Sequence, residues 1–357
     1  MAKHFFAGGN TADGFFSYFD NMLPIEEAKR IFVIKGGPGT GKSTLMKEIA
    51  SDMEKACHTI ELCHCSSDNN SLDGVLIKDI SVLIVDGTAP HIVDLKVPGI
   101  VDEIVYLGDF WNEDELQKHK KEIMNCQNKT SSLYGNAYSY LAAAGELNKI
   151  IENINSKYFD DIHAKEIADR VLEAIEFNPK NKFGKKRKLF LNGITPDGII
   201  NYAENLSYMS DKTIVLATDV NINTGQILER IAKHFIENGI DIEAFYSPFA
   251  PASQIEHLYA EDLGLFITTK NRLLDFSLED ESITNINIDT DSIPEEDKNL
   301  LKFNFEMSEK LINKAVECIH EAREVHSEIE KYYIESMDFG KLNEVKESII
   351  NKIKSIS

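Results

Sequence analysis

Basic residues are in short supply in this chain: 38 Lys and Arg face 59 Asp and Glu, leaving a formal net charge of -21. Such an acidic surface repels phosphate backbones at long range, so nucleic acid is not the expected partner. Cysteine is scarce as well, and five scattered residues make no secreted disulfide framework, which points to a reducing, cytoplasmic compartment. No apolar run approaches the ~20 residues that span a bilayer. Residues 1–9 also lack the apolar core and small-residue cleavage site of a signal peptide. What is present, 43% hydrophobic and 27% charged residues over 357 positions, suits a soluble chain too long for one core, and two domains are expected.

Those two domains read as a duplication. Phe6 to Asn21 aligns without a gap to Phe190 to Asn205, 184 residues later, sharing Phe6/Phe190, Gly9/Gly193, Thr11/Thr195, Asp13/Asp197, Gly14/Gly198, Tyr18/Tyr202 and Asn21/Asn205. A second pair, Ile31 to Ala50 and Thr213 to Ala232, matches at a spacing of 182. Each reads as a β-branched strand, a loop of equal length and an amphipathic helix. Further strand-like segments lie at 103–107 and 284–288. Long helical patterns follow at about 112–156 and 294–335, then shorter ones at about 160–176 and 338–355. The spacing predicts an α/β core in residues 1–179, a basic solvated linker at 180–188, and a second α/β core in 189–357. A helical hairpin is attached to each core and expected to pack on it, available also for self-association or a protein partner.

The chemistry concentrates in one loop. After the apolar run Ile31 to Ile34, the residues Gly36-Gly37-Pro38-Gly39-Thr40-Gly41-Lys42-Ser43-Thr44 fit the phosphate-binding pattern G-x-x-x-x-G-K-[ST], and a helical pattern follows. Glycines let the backbone wrap an anion with its N–H groups inward, and the helix N-terminus adds positive potential. Lys42 then reaches the β- and γ-phosphates of a nucleoside triphosphate, and the Ser43 hydroxyl ligates Mg²⁺. Ser81 to Asp86 reads as the partner strand ending in an acid, so Asp86 is the second expected Mg²⁺ residue.

Gly87 follows Asp86, so the glutamate that often activates water there is absent. Another base is needed, or hydrolysis is slow. Asp68 and His91 are the leading candidates, with His64 and Asp73 behind them, because their segments follow strands on the edge expected to face the ligand. A turn or a satisfied hydrogen bond accounts for each of the four equally well. Trp111, at the start of the long helix, reads as a hinge contact or as core.

The second half serves as an internal control. Thr224 stands where Lys42 does, Gly225 where Ser43 does, and Asp219 adds repulsion toward phosphate; the strand matching Asp86 ends in Thr268. Phosphate and metal functions are lost together, so one triphosphate per chain is expected. Thr11-x-Asp13-Gly14 persists as Thr195-x-Asp197-Gly198 in that half, which favours a turn or packing role for the segment.

With both halves in view, the chain resembles the P-loop NTPase superfamily. More narrowly it is similar to tandem-repeat predicted ATPases of Firmicutes, on His64-Cys65-x-x-Asp68-x-x-Ser71-Leu72-Asp73 and Asp86-x-Thr88-Ala89-Pro90-His91. The resemblance implies two Rossmann-like parallel-sheet domains and an ATPase using ATP and Mg²⁺. A small-molecule or nucleotide kinase and a nucleotide-binding switch or scaffold with negligible turnover are the alternatives. Residues 92–176 contain only Arg170, which offers no arginine-rich lid to a kinase.

Overall fold

The computed structural model describes residues 1–218, 224–271, 273–274, 276, 282–288 and 292–356. Asp219, expected to repel phosphate, lies outside the described residues.

In the first half, β1 (Lys3–Phe5) leads into a hairpin of β2 (Gly8–Thr11) and β3 (Gly14–Ser17), and β4 (Arg30–Lys35) feeds α1 (Lys42–Lys55). Next come β5 (Ile60–His64), β6 (Leu72–Ile77), β7 (Val82–Asp86) and β8 (Asp102–Tyr106), then α2 (Glu113–Lys118), α3 (Lys120–Asn155) and α4 (Asp161–Glu173). The second half opens with β9 (Lys186–Leu189), the hairpin β10 (Asn192–Thr195) and β11 (Gly198–Asn201), α5 (Ala203–Tyr208), β12 (Lys212–Ala217) and α6 (Gly225–Glu237). It continues through β13 (Ile242–Tyr246), β14 (Ile255–Ala260), β15 (Leu265–Lys270), β16 (Ile283–Asn287), α7 (Glu295–Ser336) and α8 (Gly340–Ile356). Both halves are α/β. Their six-stranded sheets have the equivalent orders β1-β5-β6-β7-β4-β8 and β9-β13-β14-β15-β12-β16.

The sheets are mixed, which corrects the expectation of purely parallel ones. Strand β6 runs antiparallel to β5 and β7, as β14 does to β13 and β15. The reason is connection length. Residues 65–71 form a turn too short for the crossover of a dozen or more residues that a parallel neighbour requires. The Thr-x-Asp-Gly segments are hairpin turns in both halves: Thr11 Oγ1 donates to the Gly14 carbonyl at 2.7 Å and Thr195 Oγ1 to the Gly198 carbonyl at 2.9 Å.

Each sheet is buried on both faces, and the two faces have different neighbours. Along β4, Phe32 and Ile34 pack toward α1, whereas Ile31 and Val33 turn toward the other half. That second face belongs to a core shared between halves: Phe5, Ile31, Val33, Leu83 and Val85 cluster with Leu189, Leu206, Phe245 and Phe266. The seam is closed by backbone pairing of the duplicated phenylalanines, each N–H donating to the other's carbonyl, Phe6 to Phe190 and Phe190 to Phe6, at 2.9 Å.

Charges are buried along this seam. Glu61 takes Lys3 at 2.5 Å and Arg187 at 2.6 Å, and Glu243, its duplicate, takes the same two cations at 2.6 and 2.9 Å. Burial alone would raise the Glu61 carboxyl, but Arg187, Lys3 and Lys78 outweigh it and hold it well below the usual range. The expected solvated linker is therefore corrected at its C-terminal end. Lys186–Leu189 is an edge strand paired with β13, and Arg187 reaches inward because two buried carboxylates need it.

The helices correct a further expectation. The two hairpins pair with each other, and the last helix of each packs on the opposite core. Helices α3 and α7 pair along Ala137, Leu141 and Ala144 against Ile312, Ala315 and Ile319, positions three and four apart on each helix. Ala164, Ile167, Ala168 and Val171 of α4 then cover Ile227, Leu228 and Ile231 of α6 in the second half. Ile349, Ile350 and Ile353 of α8 reciprocally cover Leu45, Met46 and Ile49 of α1 in the first. Residues 1–179 expressed alone would expose both the α1 face and the seam, so they are expected to show no cooperative thermal unfolding by circular dichroism, in contrast to the full chain. A sharp transition for that fragment would contradict the exchanged packing.

Candidate functional site

Strand β4 is a continuous buried run that stops at Lys35, and the chain turns through four glycines before α1 begins at Lys42. Gly39 and Gly41 hold φ of +65° and +85°, a left-handed backbone that side chains other than glycine disfavour. No side chain caps α1, and its first N–H groups find no acceptor among the described residues, so the loop presents unspent donors. Lys42 folds back across this loop, donating from Nζ to the carbonyls of Gly36 at 2.9 Å and Gly37 at 2.8 Å. Thr40 Oγ1 donates to the same Gly37 carbonyl at 2.8 Å and tightens the turn.

Strand β7 is the direct parallel neighbour of β4, and the ladder sets Asp86 beside Ile34 at the loop's entrance. Asp86 Oδ2 lies 3.5 Å from Lys42 Nζ, while Oδ1 accepts from the Thr88 N–H at 2.8 Å. Ser43 Oγ accepts from the Leu72 N–H at 3.0 Å, tying α1 to the start of β6. The residues expected to act together are thus brought together: Lys42, Ser43 and Asp86 converge where β4 and β7 end and β6 begins.

Beside them two of the expected residues, Asp86 and His91, are joined by Asp73, which sequence reasoning ranked behind. Asp73, Asp86 and His91 are all buried, and one potential ligand atom from each lies within 4.8 Å of the others. His91 Nε2 is 3.5 Å from Asp73 Oδ1, its ring stacks on Phe19 at 4.8 Å, and its Nδ1 is buried with no hydrogen-bond partner. Burial raises the Asp73 carboxyl above its ordinary value against the pull of His91, and the Asp86 carboxylate adds to the rise. The Asp86 carboxylate and the Ser43 hydroxyl are hard oxygen donors of the kind Mg²⁺ takes, so the residues present fit that ion.

The other two candidates are engaged elsewhere. Asp68 accepts from Ser71 Oγ at 2.7 Å and pairs with Arg323 of α7 at 3.2 Å. His64 meets His4 at 2.7 Å and packs at a tilt against Tyr202 at the seam, and burial lowers its imidazole to about 4.

What the sequence concealed entirely is the roof. Helix α7, from the second half, crosses the loop so closely that a Cβ on Gly37 would lie 2.5 Å from Tyr333 Cε1, and one on Gly39 2.8 Å from the Glu330 carbonyl. Trp111 packs edge-on against Tyr333 at 5.6 Å, and the Asn112 N–H donates to the Ser336 carbonyl at 2.8 Å, so Trp111 is a tether for α7. The glycines therefore do two jobs, allowing the left-handed turns of the loop and admitting a helix.

Among the described residues, the second half lacks this constellation at the homologous place. Ladder register puts Thr269, not Thr268, beside Leu216, as Asp86 lies beside Ile34. Thr224 Oγ1 and Thr269 Oγ1 share a hydrogen bond of 2.7 Å where the first half holds the Lys42–Asp86 ion pair. No protein-family model matches the chain, and neither a curated protein nor a solved structure is significantly similar to it.

A polar cluster nearby sets an acid limit on stability. His257 is fully buried, meeting Thr268 Oγ1 at 2.7 Å and Asn192 Nδ2 at 2.9 Å, and burial lowers its imidazole from 6.5 to about 3. A depressed folded value means the unfolded chain binds the extra proton first. The contribution is complete above pH 6.5 and is lost as pH falls toward 3, at a slope of about 1.4 kcal/mol per unit. Urea denaturation at pH steps across this window is expected to show that slope, and His257→Gln is expected to reduce it.

Proposed function

We propose that the first half is a P-loop NTPase-like unit that binds ATP with Mg²⁺ at residues 36–44 and hydrolyses it slowly, with α7 and α8 reading the nucleotide state. The observation that carries this reading is Lys42 folded into the glycine loop beside Asp86, at an uncapped helix start. A lysine in this setting exchanges its two loop carbonyls for phosphate oxygens, and the first-turn N–H groups of α1 supply further donors.

Ser43 and Asp86 would hold Mg²⁺. When bound, the ion offsets the charge of the β- and γ-phosphates. Asp73 takes the place of the missing glutamate: buried, facing His91 and raised in its affinity for a proton, it accepts the proton of the attacking water as the water oxygen bonds to the γ-phosphorus and the bond to the leaving ADP oxygen breaks. His91 orients that carboxyl. The close packing of Tyr333 and Glu330 on Gly37 and Gly39 supports the switch component of the reading, because a change in the loop is transmitted directly to a helix that belongs to the other half.

The test uses the purified full chain with Mg²⁺-ATP. Lys42→Ala is expected to weaken nucleotide binding by at least about 100-fold, roughly 2.7 kcal/mol, as read by calorimetry. Unchanged binding in that variant would sink the assignment. Asp73→Asn is expected to keep nucleotide affinity while phosphate release without any added acceptor falls by about 100-fold or more. Release that appears only with an acceptor hydroxyl would instead identify a kinase.

A further inference from the structure

A cavity of about 200 Å³ opens between α3 and the second sheet, away from the loop of the first half. Its polar wall contains Asn148 and Glu152 of α3 with Asn192, Ser247 and Glu256 of the second half; Ile151, Ile194 and Phe249 are among the apolar groups. Glu256 stands where Asp73 stands in the first half, since both fall at the bulge where the second of two antiparallel strands skips a partner. The cavity is therefore the second half's counterpart of the site above, and the roles of the long helices are reciprocal. There α7 of the second half covers the first site; here α3 of the first half covers the second.

The described lining is poor in cations and suits a ligand that carries one. Among the described residues of this wall the one ammonium, Lys149, is on the exposed side of α3 and is bonded to Glu146 at 2.7 Å. Inside, acceptors prevail. Asn192, 1% exposed, spends its Nδ2 on Glu256 Oε2 at 2.7 Å and His257 Nε2 at 2.9 Å, which leaves its Oδ1 buried with no donor. A buried acceptor without a donor is costly, and a ligand N–H removes that cost. Glu256 is also buried, at 8% exposed; its burial raises the carboxyl above its ordinary value, against bonds from Ser247 and Asn192, and a cation beside it reverses that preference.

We propose that this cavity binds a small organic cation, its primary ammonium or guanidinium head donating to Asn192 Oδ1 and Glu256 and its methylene chain lying along Ile151, Ile194 and Phe249. The net charge of -21 draws such a ligand toward the chain from a distance. This site is independent of whether the loop at 36–44 takes a triphosphate.

Calorimetric titration of the full chain with putrescine and with agmatine, against 1,4-butanediol as a neutral molecule of the same carbon length, tests the proposal. One site per chain is expected for the cations, and none for the diol. Glu256→Gln keeps the shape of the buried group and is expected to weaken cation binding at least tenfold with little change in melting temperature. Ser253→Trp, at an exposed position on the rim, is expected to do the same by closing the mouth. Absence of binding by both cations at millimolar concentration overturns the proposal. So does equal binding of the diol, or full affinity in both variants.

Discussion

The seam between the two halves is the constraint from which the rest follows. Phe6 and Phe190 pair backbone to backbone, and around them Phe5, Val33 and Val85 share a core with Leu189, Phe245 and Phe266. Neither sheet could leave that face in water, because the strands that carry it are apolar on both sides. Glu61 and Glu243 deepen the dependence: each is buried, and each is neutralised jointly by Lys3 of one half and Arg187 of the other. Removing one cation would leave a buried carboxylate short of charge, a change that typically costs about 3–5 kcal/mol. The exchange of α4 and α8 completes the interlock, so the unit of folding is the pair of halves.

Within this near-symmetric frame, the two halves differ at a few positions. Lys42 and Asp86 form an ion pair at the mouth of a glycine loop, whereas Thr224 and Thr269 form a hydroxyl pair at the same place. Asp73 faces His91 beside Asp86, whereas Glu256 faces Asn192 and Ser247 in a partly apolar cavity. One half thus holds a lysine among glycines beside two carboxylates, on which the proposed phosphate and Mg²⁺ site rests, and the other holds acceptors. In both, the long helix overhead comes from the opposite half, so whatever occupies one site bears on the helix that roofs it.

Much of this was legible in the residue string. The glycine loop after a buried strand, Asp86 at the end of β7 and the two long helices were readable because each depends on local periodicity or spacing, and the duplication because aligned segments recur at nearly one offset. The antiparallel β6 was missed: the polar turn before it drew attention to Asp68, which is bonded within its own turn and to Arg323. The end of the second half's strand was read as Thr268, one residue early, since a string comparison cannot see which residue a ladder sets opposite Leu216. The hairpins were assigned to their own cores because the apolar faces of α4 and α8 are alike and complement either core.

The sequence by itself determined that there are two related α/β halves and that only the first carries the glycine loop, its lysine and its acid. These are local patterns imposed by backbone geometry and side-chain chemistry. The tertiary structure alone decided which half each helix covers, that Asp73 and His91 join Asp86, that Tyr333 lies on Gly37, and that Glu256 and Asn192 line a second cavity. Those contacts join residues distant in the chain. The hydrophobic effect that drives them depends on area and has no direction, so only the packed shapes select the partners.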